Sequence, residues 1–347
     1  MADRLTEKSL LRLCLPVALG VATMGPAGAQ SIADFYKGKT VSLIAGFPPG
    51  GGYDAYMRIL ARHYGRFIPG HPTAVVSNMP GGGSLTAANH IYNKATPDGT
   101  AIALFASSAA MEPLLGNKAA MFDTTKFSWI GSMSQDVAFC GVWQTPGAVA
   151  SFDEMMTKET IFGGGAAAAI TFQHPMVMKN VLGANIRVIS GYPGTREINL
   201  AMHRGEVNGT CGMFASSVKA QFMDDVKNGR LKLVIQMGSK TSDEFGKIPS
   251  VFDYAKTDED RAVLDVHFKQ LLLGRPLAAP PGTPADRLQA LRDALVATMK
   301  DPEFLADADK MGLDIDPASP EEVVDVLKRF ASFPPEVFKR AQEAIGR

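Results

Sequence analysis

The sequence is poor in cysteine, has no excess of either charge and contains no long hydrophobic run after its first thirty residues. Its 347 residues include 3 cysteines, too few for a disulfide-rich secreted scaffold. Lysine plus arginine equals aspartate plus glutamate, at 35 each, so no summed charge attracts the chain to nucleic acid or to an anionic membrane. We therefore expect neither nucleic-acid binding nor direct membrane insertion of the mature chain.

Motifs of catalysis and of metal binding are also missing. The 6 histidines show no spacing typical of metal ligands. Ser84 follows three glycines, but Thr86 stands where a nucleophile elbow needs a second glycine. Residues 50–55 match the pattern G-x-G-x-x-A, yet residues 77–79 are Ser-Asn-Met where a dinucleotide site needs an acidic residue. We predict no catalytic residue, no metal and no cofactor.

The first thirty residues differ from the rest of the chain. Basic residues precede an apolar run at residues 13–24, and small residues follow at 27–29. This order is typical of a secretory signal peptide. A membrane anchor is the alternative, but the run contains Pro16 and is far shorter than the roughly 20 residues that span a bilayer. We predict a signal peptide at residues 1–29, a mature chain from Gln30 and a periplasmic location.

The two cysteines of the mature chain are open to two interpretations. Cys140 and Cys211 could form a disulfide in an oxidising compartment. Two buried, unpaired thiols are the other interpretation, and we favour it because two cysteines in so long a chain do not make a disulfide framework.

Short apolar strands alternate with glycine-rich loops and helices. Residues 41–45 lead into the loop 46–54, and residues 73–77 lead into the loop 78–84; a helical spacing of apolar residues follows each loop. Further strands are predicted at residues 102–105, 161–162, 188–189, 231–236 and 271–273. Helices are predicted to start at residues 283–286, 319–322 and 334–336. The alternation predicts an α/β protein with mainly parallel sheets.

The two glycine loops favour anion binding. Loops that leave the carboxyl ends of parallel strands meet at one crevice. Free N–H groups and the positive end of the dipole at a helix start accommodate a carboxylate without a basic side chain. We expect Asp54, near the start of the first helix, to turn towards its own helix as a cap.

The chain resembles the Bug/TctC family, the periplasmic receptors of tripartite tricarboxylate transporters. The resemblance covers essentially the whole mature chain. The segments that carry it are FYKGKTV (35–41), GFPPGGGYD (46–54), NMPGGGS (78–84), GYPG (191–194), EINLA (197–201), RGEV (204–207), GRP (274–276) and APPG (279–282). It implies a two-lobed type II periplasmic binding protein fold with a ligand cleft between the lobes. One lobe would comprise residues 30–135 plus 251–347 and the other residues 136–250.

The resemblance also implies a ligand class and a site. Family members bind small organic carboxylates through main-chain groups of both loops. The ligand-binding residues expected on this basis are Phe47, Pro49, Gly50, Gly51, Gly52, Tyr53, Asp54, Met79, Pro80, Gly81, Gly82, Gly83, Ser84, Ser107, Gly165, Ala166, Thr171, Tyr192, Gly194 and Thr195. Where many members have hydroxyls, this chain has alanines at residues 166–169. Arg196 could pair a second carboxylate or be a solvated surface residue.

These observations predict a non-catalytic, extracytoplasmic solute-binding protein. It would capture a small organic carboxylate, as a monomer, and deliver it to the membrane subunits of a tripartite tricarboxylate-type transporter. An exported sensor that feeds a signalling partner is the first alternative, because it would share the same site. An enzyme or a nucleotide binder is the second.

Overall fold

Two five-stranded sheets organise the computed structural model, which describes residues 31–347. The predicted signal peptide and Gln30 lie outside these residues. The strands are β1 (Thr40–Ala45), β2 (Thr73–Asn78), β3 (Ala101–Leu104), β4 (Ser128–Ser132), β5 (Ala138–Trp143), β6 (Thr160–Gly163), β7 (Ile186–Ile189), β8 (Gly209–Phe214), β9 (Leu231–Met237) and β10 (Pro276–Ala279).

Helices flank these sheets. They are α1 (Ile32–Tyr36), α2 (Gly52–His63), α3 (Leu85–Asn93), α4 (Ser107–Met111), α5 (Ile170–Leu182), α6 (Thr195–His203), α7 (Ala215–Ser217), α8 (Met223–Lys227), α9 (Asp258–Phe268), α10 (Ala285–Lys300), α11 (Pro302–Lys310), α12 (Pro320–Ala331) and α13 (Pro335–Ala344). No helix within residues 31–347 combines the length and the apolar character needed to cross a bilayer.

Each sheet is mixed: four of its strands run in one direction, in line with the sequence prediction, and one strand runs against them. The first has the order β2-β1-β3-β10-β4, with β1 parallel to β2 and β3. The second has the order β7-β6-β8-β5-β9, with β6 parallel to β7 and β8. β10 and β5 are antiparallel to both of their neighbours. The parallel strands of each sheet therefore end at one edge, where their loops meet.

The two sheets give an α/β, two-lobed fold. The chain completes β1 to β4 of the first sheet, builds the whole second sheet from β5 to β9 and returns to the first with β10. α2 packs against β1 and β2, whereas α5 packs against β7 and β8. α10 and α12 cover β4. The lobe boundaries given above remain a prediction.

One predicted strand is wrong. Residues 271–273 belong to a 3₁₀ helix, Lys269–Leu273, that continues from α9, and the strand of this region is β10. A run of three leucines has no periodicity that distinguishes a strand from a buried helical turn. Gly274, at φ 53°, then redirects the backbone into β10. The helix α11 was not predicted, although Asp301 caps it through Phe304 N–H.

The favoured interpretation of the two cysteines is also wrong. Cys140 and Cys211 form a disulfide, with their Cα atoms 4.0 Å apart. They lie on β5 and β8, which are adjacent antiparallel strands. The sequence could not show this adjacency, because 71 positions separate the cysteines and only the sheet order places the two strands side by side.

Two buried histidines lie on helices from different parts of the chain. His174 of α5 and His267 of α9 are fully buried, and neither ring nitrogen of His174 has a hydrogen-bond partner among residues 31–347. His267 Nε2 lies 2.9 Å from the carbonyl oxygen of Ala341. Burial lowers the pKa of His174 to about 3 and that of His267 to about 4. Both side chains are therefore neutral in the folded protein at neutral pH.

Acidification should destabilise the protein through these two histidines. Their pKa values lie below the ordinary 6.5, so between pH 6.5 and about 4 the unfolded chain binds more protons than the folded one. Stability should therefore fall as the pH falls through this window, by up to about 1.4 kcal/mol per pH unit for each histidine. Urea unfolding at several pH values measures the free energy of unfolding of the wild type and of His174→Leu. This free energy should depend less steeply on pH in the variant. Equal slopes would contradict this assignment.

Candidate functional site

A cavity of about 350 Å³ lies where strand-end loops of the two sheets meet. The loops after β1 and β2 line it from the first sheet, and the loops after β6 and β7 line it from the second. Phe214, the last residue of β8, lies on its wall. The carboxyl ends of parallel strands are the usual place for a ligand in such sheets, so this cavity is the candidate binding site.

Most of the residues expected at the site line this cavity. They are Phe47, Pro49, Gly51, Gly52, Tyr53, Pro80, Gly81, Gly82, Gly83, Ser84, Gly165, Ala166, Thr171, Tyr192, Gly194 and Thr195. Four others, Gly50, Asp54, Met79 and Ser107, do not belong to its lining. The cavity is thus lined both by the two glycine loops and by loops from the middle of the chain.

Four helix starts converge on the cavity. The N-cap residues of α2, α3, α5 and α6 are Gly51, Ser84, Ala169 and Gly194, and all four line the cavity. None of them caps its helix with a side chain. By contrast, α9, α11 and α12 each have a side-chain cap. First-turn N–H groups have no intrahelical acceptor and carry the positive end of the dipole, so helix starts of this kind favour negative charge.

Aromatic rings give the cavity an apolar wall. The rings of Phe47 and Tyr53 stack with centroids 4.6 Å apart, and Phe214 meets Tyr53 edge to face at 6.3 Å. Ile170, the first residue of α5, and Tyr192, in the loop after β7, also line the cavity. If the anionic group of a ligand lies at the helix starts, the carbon skeleton of that ligand contacts these side chains.

The backbone of the second glycine loop approaches the other sheet closely. Gly83 has φ 67°, and a Cβ atom there would lie 2.5 Å from the amide nitrogen of Ala169 and 2.7 Å from the carbonyl carbon of Ala168. Only glycine fits both the left-handed backbone and this contact. Ala168 and Ala169 thus lie directly against the second glycine loop.

Asp54 holds the first glycine loop in place. One carboxylate oxygen accepts hydrogen bonds from Gly50 N–H at 2.9 Å and Arg58 Nε at 2.8 Å, and the other accepts from Asn78 Nδ2 at 2.8 Å. Asn78 Nδ2 also donates to the Phe47 carbonyl oxygen at 2.9 Å. The prediction that Asp54 caps α2 is wrong. The N-cap of α2 is Gly51, and the backbone N–H that donates to Asp54 belongs to Gly50, which precedes the helix.

The charge of Asp54 is stabilised by these contacts. Burial alone would raise its pKa, but hydrogen bonds from Arg58, Gly50 and Asn78 outweigh burial and hold the pKa below the ordinary value. Asp54 is therefore ionised at neutral pH, and its oxygens are directed to the loop and to Arg58.

Asp54→Asn should weaken the fold more than it weakens binding. An amide has one acceptor oxygen where the carboxylate has two, so at least one of the three donors loses its partner, at a cost of about 1–3 kcal/mol. Because Asp54 does not line the cavity, affinity for a simple carboxylate should fall by less than about tenfold, a binding loss of about 1.4 kcal/mol. Urea unfolding and calorimetric titration measure the two quantities. A loss of binding without a loss of stability would instead place Asp54 on the ligand.

Several further residues line the cavity; among them only Arg196 was considered from the sequence, as either a partner of a second carboxylate or a solvated surface residue. They are Pro48, Ala169, Ile170, Gly191, Pro193, Arg196, Glu197, Gly212, Phe214, Ser217 and Arg275. Some adjoin predicted residues and follow from the same loops. Phe214, Ser217 and Arg275 come from the end of β8, from α7 and from the residue before β10, and only the three-dimensional crossing of the two lobes brings them to the cavity.

One cluster outside the cavity has the donor atoms of a metal site. His63, Asp301 and Glu303 lie close enough for one ligand atom from each to share an ion. The guanidinium of Arg66, however, pairs with both carboxylates and lies 2.9 Å from His63 Nδ1. A cation would have to displace this arginine, so the cluster is an ion-pair network between α2 and α11.

Solved structures of periplasmic binding proteins share this fold. Periplasmic binding protein BugD has a TM-score of 0.70 and 20% identity, covering 89% of this chain and 98% of that one. An R. palustris protein solved with adipate has a TM-score of 0.67 and 16% identity, covering 89% and 97%. MatC from Rhodopseudomonas palustris, with bound malate, has a TM-score of 0.65 and 15% identity, covering 88% and 99%. The fold is that of a two-lobed periplasmic binding protein.

The sequence comparison identifies the family. Residues 68–328 match the profile of the tripartite tricarboxylate transporter family receptor, and the chain belongs to this family. BugT of Bordetella pertussis is 24% identical over 258 residues, 70% of this chain and 74% of that protein. The UPF0065 protein in the gbd 5' region of Cupriavidus necator is 26% identical over 307 residues, 83% and 82% of the two chains. The chain is a solute-binding protein and not an enzyme.

Proposed function

We propose that this protein captures a small organic acid in the periplasm and delivers it, as a monomer, to the membrane subunits of a tripartite tricarboxylate-type transporter. The observation that carries the ligand class is the convergence of four helix starts without side-chain caps on one cavity. Helix starts of this kind bind anions through N–H groups and the helix dipole. The cavity volume of about 350 Å³ suits a small molecule.

Arg196 favours a second acidic group on the ligand. Arg196 lines the cavity and reaches towards the first glycine loop, where its Nη1 lies 3.3 Å from the position of a Cβ at Gly50. Glu197, which also lines the cavity, turns back towards its own N-cap: its Oε2 lies 3.2 Å from the position of a Cβ at Gly194. A guanidinium beside the first glycine loop, together with the apolar wall of the cavity, fits a dicarboxylate with a short carbon chain.

Two further observations support the proposal. Adipate and malate, which two structures of the same fold contain, are both dicarboxylates. The Cys140–Cys211 disulfide fits an oxidising compartment such as the periplasm. Delivery to membrane subunits rests on the family to which the chain belongs.

A thermal-shift screen tests the ligand class. Dicarboxylates of three to eight carbons should raise the melting temperature, and their uncharged diamides, which bind more weakly, should raise it far less at the same concentration. At 100 times its dissociation constant a ligand stabilises the protein by roughly 2.7 kcal/mol, enough to shift the melting temperature by several degrees. Stabilisation by diamides and acids alike, or by neither, would contradict the proposal.

Uptake of the acid by cells with and without this protein then separates a transport receptor, whose loss abolishes uptake, from a sensor, whose loss leaves uptake intact.

A further inference from the structure

A buried arginine forms part of the cavity wall. Arg275 is 0% exposed, yet it lines the cavity. Its guanidinium carbon lies 4.1 Å from the ring centroid of Phe214, 4.3 Å from that of Tyr53 and 4.8 Å from that of Tyr56. Two of these rings belong to α2 and the third ends β8, so the guanidinium lies where the two lobes meet, next to the start of α2.

The hydrogen-bonding capacity of this guanidinium is largely unused. Nη2 donates to Ser216 Oγ at 3.4 Å, whereas Nε and Nη1 have no partner among the described residues 31–347. Asp136 reaches the arginine through the same hydroxyl, since its oxygens accept from Ser216 Oγ at 2.8 Å and from Ala215 N–H at 3.1 Å. Aromatic faces offset part of the cost of burying a cation, but a buried guanidinium with unused donors still favours an anion nearby.

The absence of a side chain at Gly52 opens the way from the cavity to this charge. A Cβ atom at Gly52 would lie 3.2 Å from Arg275 Nη2 and 2.8 Å from Ser217 Oγ. Gly52 is the first residue of α2 and lines the cavity together with Ser217 and Arg275. The positive charge and the first N–H groups of α2 are thus presented to the same point.

We propose that Arg275 is the residue that selects charged over uncharged ligands: a ligand carboxylate at the start of α2 is held against the buried guanidinium across Gly52. This assignment rests on the proposed function and adds to it the side chain that sets ligand charge. Arg196, beside the first glycine loop, would then contact a second acidic group of the ligand.

The test compares acids with their uncharged diamides in variants of Arg275. Succinate, malate and adipate, with the diamide of each, are titrated calorimetrically. Arg275→Met keeps a long side chain among the rings and removes the charge, and it should weaken acid binding roughly 10- to 100-fold, the effect of one charged hydrogen bond, while leaving diamide binding unchanged. Arg275→Lys keeps the charge but loses the planar guanidinium on the rings, so it should lose less acid binding than Arg275→Met does.

The matched control is Arg287→Met. Arg287 also places its guanidinium on a ring, 3.5 Å from the Phe35 centroid, and donates to a carbonyl oxygen, but it does not line the cavity. Its variant should bind acids as the wild type does. If Arg275→Met does not fold, the double variant Gly52→Ala with Ser217→Ala provides the test, because the new methyl covers the guanidinium and the lost hydroxyl makes room for it. It should show the same loss of preference for acids.

The outcomes are separable. A selective loss of acid binding in Arg275→Met, with Arg287→Met unchanged, supports the assignment. Equal losses for acid and diamide would show that Arg275 only holds the lobes together, and an unchanged preference for acids would show that the charge does not act on the ligand; either result overturns it while the proposed function stands. If the wild type binds none of the three acids, the proposed function fails and the assignment fails with it.

Discussion

Gly51→Val should abolish ligand binding while the protein still folds. Gly51 has φ −90° and ψ 172°, a conformation that valine adopts without strain. A Cβ atom there would meet no atom nearer than Thr195 Oγ1 at 3.9 Å and the Pro48 carbonyl oxygen at 4.0 Å. The side chain would therefore occupy the cavity at the start of α2, and affinity for a carboxylate should fall at least roughly 100-fold, or about 2.8 kcal/mol.

Stability measurements provide the control for this variant. Replacing a glycine N-cap by valine should cost no more than about 1 kcal/mol of unfolding free energy. Gly82→Val is the contrasting variant, since Gly82 has φ 59° and a Cβ atom there would lie 3.3 Å from Leu85 Cβ. Valine in a left-handed conformation is strained, so this variant should lose stability as well as binding. If Gly51→Val binds carboxylates as tightly as the wild type, the cavity is not the site.

Reduction of the disulfide should cost the protein about 2–4 kcal/mol of stability. The Cys140–Cys211 bond closes a long segment, with a sequence separation of 71, and such a cross-link removes much chain entropy from the unfolded state. Urea unfolding with and without reductant measures the loss. Both cysteines are fully buried, so reduction should require unfolding or a high concentration of reductant.

The variant with both Cys140→Ala and Cys211→Ala is the control for reductant effects. It should be less stable than the oxidised wild type and should not respond to reductant. Mass measurement after alkylation of the unfolded, unreduced protein reports the thiols directly. Two alkylated cysteines would show that the bond is absent, and the favoured interpretation from the sequence would then be right after all.

Local patterns in the sequence were sufficient for the first half of the site. The loop after β1 and the loop after β2 each follow an apolar strand and precede an amphipathic helix, and the structure brings both to the cavity. Parallel strands place such loops at one edge whatever the rest of the fold does. The fold class followed from the same alternation, together with the resemblance to the family.

Contacts between distant segments could not be read from the sequence. Arg275 follows a glycine in a segment that reads as the end of an apolar run, and nothing nearby indicates that it reaches the cavity. The disulfide depends on the order β8-β5 in the second sheet, which reverses one strand. Asp54 was assigned to a helix cap because it lies in the first turn, but the loop residue Gly50 and the side chains of Arg58 and Asn78 satisfy it instead.

A crystal structure with a bound dicarboxylate tests the central claim most directly, that helix starts hold the ligand's charge. One carboxylate should lie at the starts of the helices that converge on the cavity, with its oxygens about 2.9 Å from main-chain nitrogens such as those of Gly52 and Tyr53. The carbon chain should contact Phe47 and Phe214. A ligand whose carboxylates both contact side chains alone, with its carbon chain against the helix starts, would contradict the claim.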